Sequence, residues 1–361
     1  MQKMLKKAPA RTLQNGFSRQ LLAWNARQNK RQMPWKGEKD PYKIWLSEII
    51  LQQTRVEQGL EYYNRFIAHY PTIVQLANAP DTQVFKLWEG LGYYSRCRNL
   101  LATARYIATA KKGIFPDTCE SIQSLKGIGP YTAAAIASFA YNLPHAVVDG
   151  NVYRVLARVF GIHTPIDSTA GKKQFTALAE ALLDKKQPGL YNQAIMDFGA
   201  TVCKPLAPLC GTCIFQKECY AYQQNEISLL PVKEKKNKIR KRWFYYLVIE
   251  WRGKTAVRQR TAKDIWQGLY EFPLTESPAA QTPETIIREA LQKKWWEKNE
   301  YVITSVSPLL KQQLSHQLIQ AQFIRIKLSS KPVLPEGYEW VNAAELRAYA
   351  FPRIINVFLE G

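Results

Sequence analysis

The sequence predicts two folded parts, a mostly helical N-terminal region followed by an α+β C-terminal region. Three observations carry this. At 361 residues the chain exceeds the size at which one hydrophobic core usually stops growing. Residues 17–220 repeat apolar side chains at helical spacing, between short joints rich in Gly and Pro. Beyond residue 242 the period shortens to that of strands, with one helical interruption. Apolar residues make up 46% of the chain and charged ones 22%, so neither part has the composition of a disordered segment.

The elements follow in order. MQKMLKKAPARTLQ is basic, but no apolar stretch follows it, so it does not read as a signal peptide. No run approaches the ~20 apolar residues of a membrane span. A cytoplasmic, reducing compartment is the expectation. In residues 44–70, Trp45, Ile49, Val56, Leu60, Tyr63 and Ile67 recur every three, four or seven positions and predict helix. Gly127 and Gly129 predict a narrow turn, and Pro130 suits the first position of the small-residue helix YTAAAIASFAY. Asp149 heads DGNVYRVLARVFGI as a helix cap. Between Lys233 and Arg242 lie seven basic residues, one glutamate and no apolar period, which predicts a linker. WFYYLVIEWRGKTAVRQR then predicts two strands around Arg252-Gly253. Thr282 and Pro283 predict a capped helix start, and residues 301–329 return to strands.

Lys and Arg number 50 against 29 Asp and Glu, a net charge of +21 spread over both parts. Nucleic acid or an anionic surface would explain the excess, and so would general solubility. Charge alone does not choose.

Three features bear chemistry. Cys203, Cys210, Cys213 and Cys219 crowd one loop, a spacing compatible with an iron–sulfur cluster, with zinc, or with plain buried thiols. Cys97 and Cys119 fall in helical stretches and are most simply core thiols. The turn at Gly127 and Gly129 can seat a phosphate on free backbone amides, or can simply join two helices. Glu48 sits in the apolar segment WLSEIILQQT, where burial would raise its pKa toward that of a general acid; a solvated helix glutamate is the plainer alternative.

SEIILQQT, LKGIGPYTAAAI, VVDGNVYRVLAR, NQAIMDFGA and the four-cysteine loop occur in that order. Together they resemble the helix-hairpin-helix superfamily of base-excision DNA glycosylases, and more narrowly its branch that removes adenine mispaired with 8-oxoguanine. The resemblance implies a mostly α glycosylase core over residues 1–225, made of a six-helix domain with the helix-hairpin-helix and an iron–sulfur cluster domain. It implies a [4Fe-4S] cluster on Cys203, Cys210, Cys213 and Cys219 in the loop 203–219. A basic linker, 226–242, then leads to a Nudix-like α+β domain, 243–361, that recognises 8-oxoguanine. The implied partner is double-stranded DNA carrying A:8-oxoguanine or A:G pairs, bound by a monomer in a bacterial-type cytoplasm, without a membrane.

The site roles it implies fall on named positions. Glu48 is the acid toward adenine, Asp149 stabilises the sugar cation, and Tyr131 assists. Arg31, Trp35 and Gln193 line the adenine pocket. Gln53 and Tyr93 enter the duplex, Gly127 and Gly129 grip the backbone, and Lys36 contacts DNA. Leu314, Ser315 and His316 form the hairpin tip that meets 8-oxoguanine. Two positions depart from the family pattern: Lys36 replaces an arginine and Leu314 a phenylalanine, which puts a bidentate contact and a ring stack in doubt. Tyr131 stands where the related endonuclease III carries the lysine that forms a Schiff base, so strong lyase activity is not expected. A bifunctional glycosylase/lyase and a non-catalytic damage-binding protein are the alternatives. Nudix hydrolysis is rejected, because IIREALQKKWW offers only Glu289 as a metal ligand.

Overall fold

The computed structural model of the chain describes residues 7–234 and 239–361. Its α-helices are α1 (Lys7–Arg27), α2 (Pro41–Leu51), α3 (Val56–His69), α4 (Ile73–Asn78), α5 (Asp81–Trp88), α6 (Tyr94–Ala110) and α7 (Cys119–Gln123). They continue with α8 (Pro130–Tyr141), α9 (Gly150–Phe160), α10 (Thr169–Leu182), α11 (Pro188–Thr201), α12 (Tyr220–Gln223), α13 (Pro283–Gln292) and α14 (Arg353–Glu360). The strands are β1 (Arg240–Trp251), β2 (Lys254–Gln259), β3 (Tyr270–Glu271), β4 (Leu274–Ser277), β5 (Tyr301–Val306), β6 (Leu310–Gln313), β7 (Gln317–Leu328) and β8 (Tyr338–Asn342). No described helix is long and apolar enough to cross a membrane.

The chain packs as two compact units, Met1–Ala77 with Ala102–Lys235, and Asn78–Leu101 with Lys236–Gly361. The first is helical. Its core joins α1, α9, α10 and α11 through Phe17, Leu21, Val155, Phe175 and Phe198, with Phe215 stacked on Phe17 at 4.5 Å. The helical stretch expected over 44–70 is broken. Leu51 ends α2, Gln53 takes φ 56°, and α3 restarts at Val56. Expectations for the later helix starts are met: Pro130 opens α8 after Gly129, and the Asp149 side chain caps α9.

The second unit is built on one eight-stranded sheet with the path β3-β2-β1-β7-β5. β1 and β7 run parallel, with Tyr246 opposite Phe323. The run WFYYLVI is apolar without alternation because both faces of β1 are covered. Tyr245, Leu247 and Ile249 share a core with Ile286, Ile287 and Ala290 of α13. Tyr246 stacks on Phe323, which stacks on Phe358 of α14 at 4.0 Å. Arg252 and Gly253 both take positive φ, 49° and 74°, giving the two-residue turn that joins β1 to β2. Thr282 caps α13 by accepting from Thr285 N, as its position predicts.

The linker expected over 226–242 is shorter than its composition suggests. Leu230 is buried in the first unit and its carbonyl accepts from Arg158, while β1 begins at Arg240 and already buries Arg242. Within that stretch, residues 235–238 lie outside the described residues.

Candidate functional site

A cavity of about 650 Å³ opens in the first unit between the end of α2, the turn before α8 and the start of α9. Glu48, Tyr131 and Asp149 line it, together with Arg31, Trp35 and Gln193 from the N-terminal loop and α11. Gln53, Gly127 and Gly129 stand at the same cavity. Residues spread over more than 160 positions therefore meet in one place.

Glu48 lies on α2, an almost wholly apolar helix, and is only 6% exposed. Burial pushes its pKa up to about 7; the hydrogen bond from the Tyr131 hydroxyl opposes the rise, and the nearby Asp149 charge adds to it. The phenol itself is held well above its ordinary pKa by burial and by the two carboxylates, so it stays a donor. Asp149 has a different shell. Val152 N donates to its Oδ1 at 2.8 Å and Asn151 Nδ2 to its Oδ2 at 2.8 Å. Burial still raises its pKa, against those donors and the positive charge of Arg154. Of the two carboxyls, Glu48 has the poorer supply of donors to its charged form, which favours keeping its proton.

The turn before α8 has the expected form. Gly127 takes φ 81°, and no side chain caps the first-turn amides after Gly129. Gln52 Nε2 reaches Thr132 Oγ1 at 3.2 Å, tying the end of α2 to α8. Gln53 is exposed in its left-handed conformation.

A second cavity, about 420 Å³, lies within the other unit. Tyr93, Leu314, Ser315 and His316 line it with Asp264 and Trp266. Tyr93 is 43% exposed at φ 48°, and its hydroxyl lies 2.7 Å from Ser315 Oγ. The tip Leu314–His316 is the turn between β6 and β7, closed by Leu314 N donating to Gln317 O at 2.7 Å.

Residues 46–182 match the HhH-GPD superfamily of base excision DNA repair proteins, and residues 245–361 match the NUDIX domain family. The adenine DNA glycosylase of Buchnera aphidicola subsp. Acyrthosiphon pisum is 30% identical over 96% of this chain and 97% of its own length. That of Buchnera aphidicola subsp. Baizongia pistaciae is 34% identical over 93% of both chains. The chain belongs to the adenine DNA glycosylase family. The expectation of a DNA glycosylase, and so of an enzyme, is borne out by these relatives. Among solved structures, a thermostable thymine-DNA glycosylase is 29% identical with TM-score 0.55, covering 60% of this chain and 99% of its own. An endonuclease III trapped on DNA shares the fold at 18% identity and TM-score 0.52, covering 62% of this chain and 99% of its own.

In this adenine DNA glycosylase family member the cluster expectation is corrected. Among the described residues no group of three or more Cys, His, Asp or Glu side chains is arranged to hold a metal ion. Cys203, Cys210, Cys213 and Cys219 form no disulfide, and among the described residues they are not arranged to hold a [4Fe-4S] cluster. Burial and the neighbouring cysteines push Cys213 up to about 12 and raise Cys210 and Cys219. The Cys219 thiol donates to Arg158 O at 3.4 Å. The loop is held instead by the buried Arg158 guanidinium, which donates to Leu230 O, Lys204 O and Pro205 O and, at 3.6 Å, to Cys203 Sγ.

Lys36 has partners within the protein. Its ammonium donates to Asp197 Oδ2 and Arg31 O, both at 3.0 Å. Asp197 is fully buried and accepts as well from Arg31 Nη1 at 3.0 Å, Asn29 Nδ2 at 2.8 Å and Gln193 Nε2 at 3.0 Å. Sequence reasoning missed this anchor, which fixes Arg31 and Gln193 at the cavity wall. It missed Asn151 and Arg154 too. Arg154 Nη2 donates to Asn151 Oδ1 at 2.8 Å, orienting the amide that serves Asp149. Gly199 permits the approach, since a Cβ there would lie 2.6 Å from that of Asn151.

Proposed function

We propose that this chain hydrolyses the N-glycosidic bond of adenine opposite 8-oxoguanine or guanine in double-stranded DNA. The observation that carries the reading is a buried glutamic acid with a pKa near 7, sharing one cavity with an amide-held aspartate. Adenine must leave its stack to reach such a cavity, which costs a few kcal/mol and less at a mispair. Gln53 on its left-handed turn and the amides after Gly129 are the groups that would hold the opened backbone.

Inside the cavity, Glu48 gives its proton to N7, so adenine departs neutral rather than as an anion. Positive charge then develops at C1′, and Asp149 stabilises it. Water adds at C1′, and its proton restores the acid, leaving an abasic site. Tyr131 positions the Glu48 carboxyl through its hydroxyl. A phenol has no amine to form a Schiff base, so the reaction ends at base removal. Arg31 and Gln193, braced by Asp197, are the groups for the adenine edge. In the second unit, Ser315 and His316, beside Tyr93 and Leu314, are the groups for the opposite base.

Two measurements test this. Duplexes carrying A:8-oxoG, A:G, T:G or thymine glycol are incubated with and without later alkali. Adenine release opposite 8-oxoG and G, with strand breaks chiefly after alkali, is expected; breaks at thymine glycol without alkali would overturn it. Glu48→Gln is expected to bind duplex as before while single-turnover excision drops by about 10²–10⁴. An unchanged rate would remove Glu48 from the role of acid.

A further inference from the structure

The base-reading cavity of the second unit is walled by three segments distant in sequence, residues 92–98, the stretch 264–266 and the β6–β7 turn. One side chain grips the last two. Arg242, 6% exposed on β1, forks onto Asp264, with Nη1 to Oδ1 at 2.9 Å and Nη2 to Oδ2 at 2.7 Å. It forks again onto Glu276 of β4, with Nε and Nη2 each at 2.7 Å. Its Nη1 also donates to Gln317 Oε1 at 3.1 Å, on the residue directly after His316. Arg260 ties the same loop from the other side, donating to Asp264 Oδ2 and Ile265 O, and continues to the buried Glu271. Both guanidinium groups lie over the Phe244 ring, at 4.8 and 6.0 Å from its centroid.

We infer that Arg242 is a positioning residue for discrimination between 8-oxoguanine and guanine, because it sets the spacing between Asp264 and the Ser315–His316 tip. The inference rests on the base-reading role proposed for that cavity. The two bases differ only at N7 and C8, so telling them apart depends on donors and acceptors placed to within a fraction of an ångström. The turn that carries Ser315 has its exposed side toward solvent, and Arg242 through Gln317 supplies an interior tether at its base. A lysine in its place keeps the charge but cannot make two forks and a third bond.

The test is single-turnover excision at subsaturating enzyme on A:8-oxoG and A:G duplexes. It compares the full-length parent with Arg242→Lys, Asp264→Asn and Ser315→Ala. The quantity read is the ratio of the two rates. A fold defect that merely lowers the active fraction cancels in that ratio. Arg242→Lys is expected to lower it about tenfold and Asp264→Asn about threefold, the scale of lost charge-assisted bonds. Should Arg242→Lys fail to fold, Asp264→Asn decides alone. A ratio that holds in Asp264→Asn, and in any folded Arg242→Lys, while Ser315→Ala lowers it, overturns the positioning role and leaves the cavity's role standing. A parent with no preference, unmoved by Ser315→Ala, overturns both.

Discussion

The molecule sets carboxylates in two kinds of surroundings. Glu48 lies in an apolar helix facing a phenol and a second carboxylate, and its pKa climbs to about 7. Asp264 lies between two guanidinium groups, and its pKa falls, chiefly through the hydrogen bond from Arg242. The Arg242 guanidinium is correspondingly held more firmly charged. Burial without a counter-charge leaves a proton available near neutrality, whereas pairing with two guanidinium groups gives a fixed joint. The first setting suits proton transfer. The second holds a shape.

The comparison can be broken most directly at Asp149. Asparagine caps a helix about as well as aspartate. Asp149→Asn should therefore keep its melting temperature near that of the parent, yet lose about 10²–10³ in single-turnover excision. A large fall in melting temperature with modest loss of rate would make the residue a cap and little more.

Stability against pH separates the two regions next. The folded pKa of Glu48 is above its ordinary value, so ionising it costs the native state, and the cost is complete above about pH 7. Glu48→Gln should be more stable than the parent at pH 8, by on the order of 3 kcal/mol, with the gain gone below about pH 4.5. Asp264 has the opposite sign. Its folded pKa is depressed, so its contribution is present above the ordinary carboxylate range and fades as pH falls through it. Asp264→Asn should lower the denaturation midpoint at pH 7 by a small amount, and the difference should shrink toward pH 3. Equal pH profiles for the two variants would erase the distinction.

Much of the fold was legible because it depends on neighbours in sequence. Pro130 after Gly129, Asp149 before Gly150, Thr282 before Pro283 and the Arg252-Gly253 turn are local devices, and each stands where its residues predict. The groups around the first cavity were legible through quoted motifs. What stayed hidden depends on distant partners. Asp197 reads as an ordinary helix aspartate until Asn29, Arg31 and Lys36 arrive from over 160 positions away. Arg242 hides at the end of a basic run that looks solvated, although its guanidinium is matched by Asp264 and Glu276. The cysteine loop misled in the reverse direction. Close spacing in sequence brings sulfurs near one another without fixing a metal-holding arrangement, and Arg158 braces the loop.

Gln53 and Tyr93, the two side chains assigned to the opened duplex, both occupy backbone angles that non-glycine residues rarely adopt. Each such residue costs the resting protein about 1 kcal/mol. A laboratory selecting this chain for heat tolerance alone would be drawn to glycine or asparagine at positions 53 and 93. It would harvest hardier molecules lacking the two side chains proposed to hold the opened duplex.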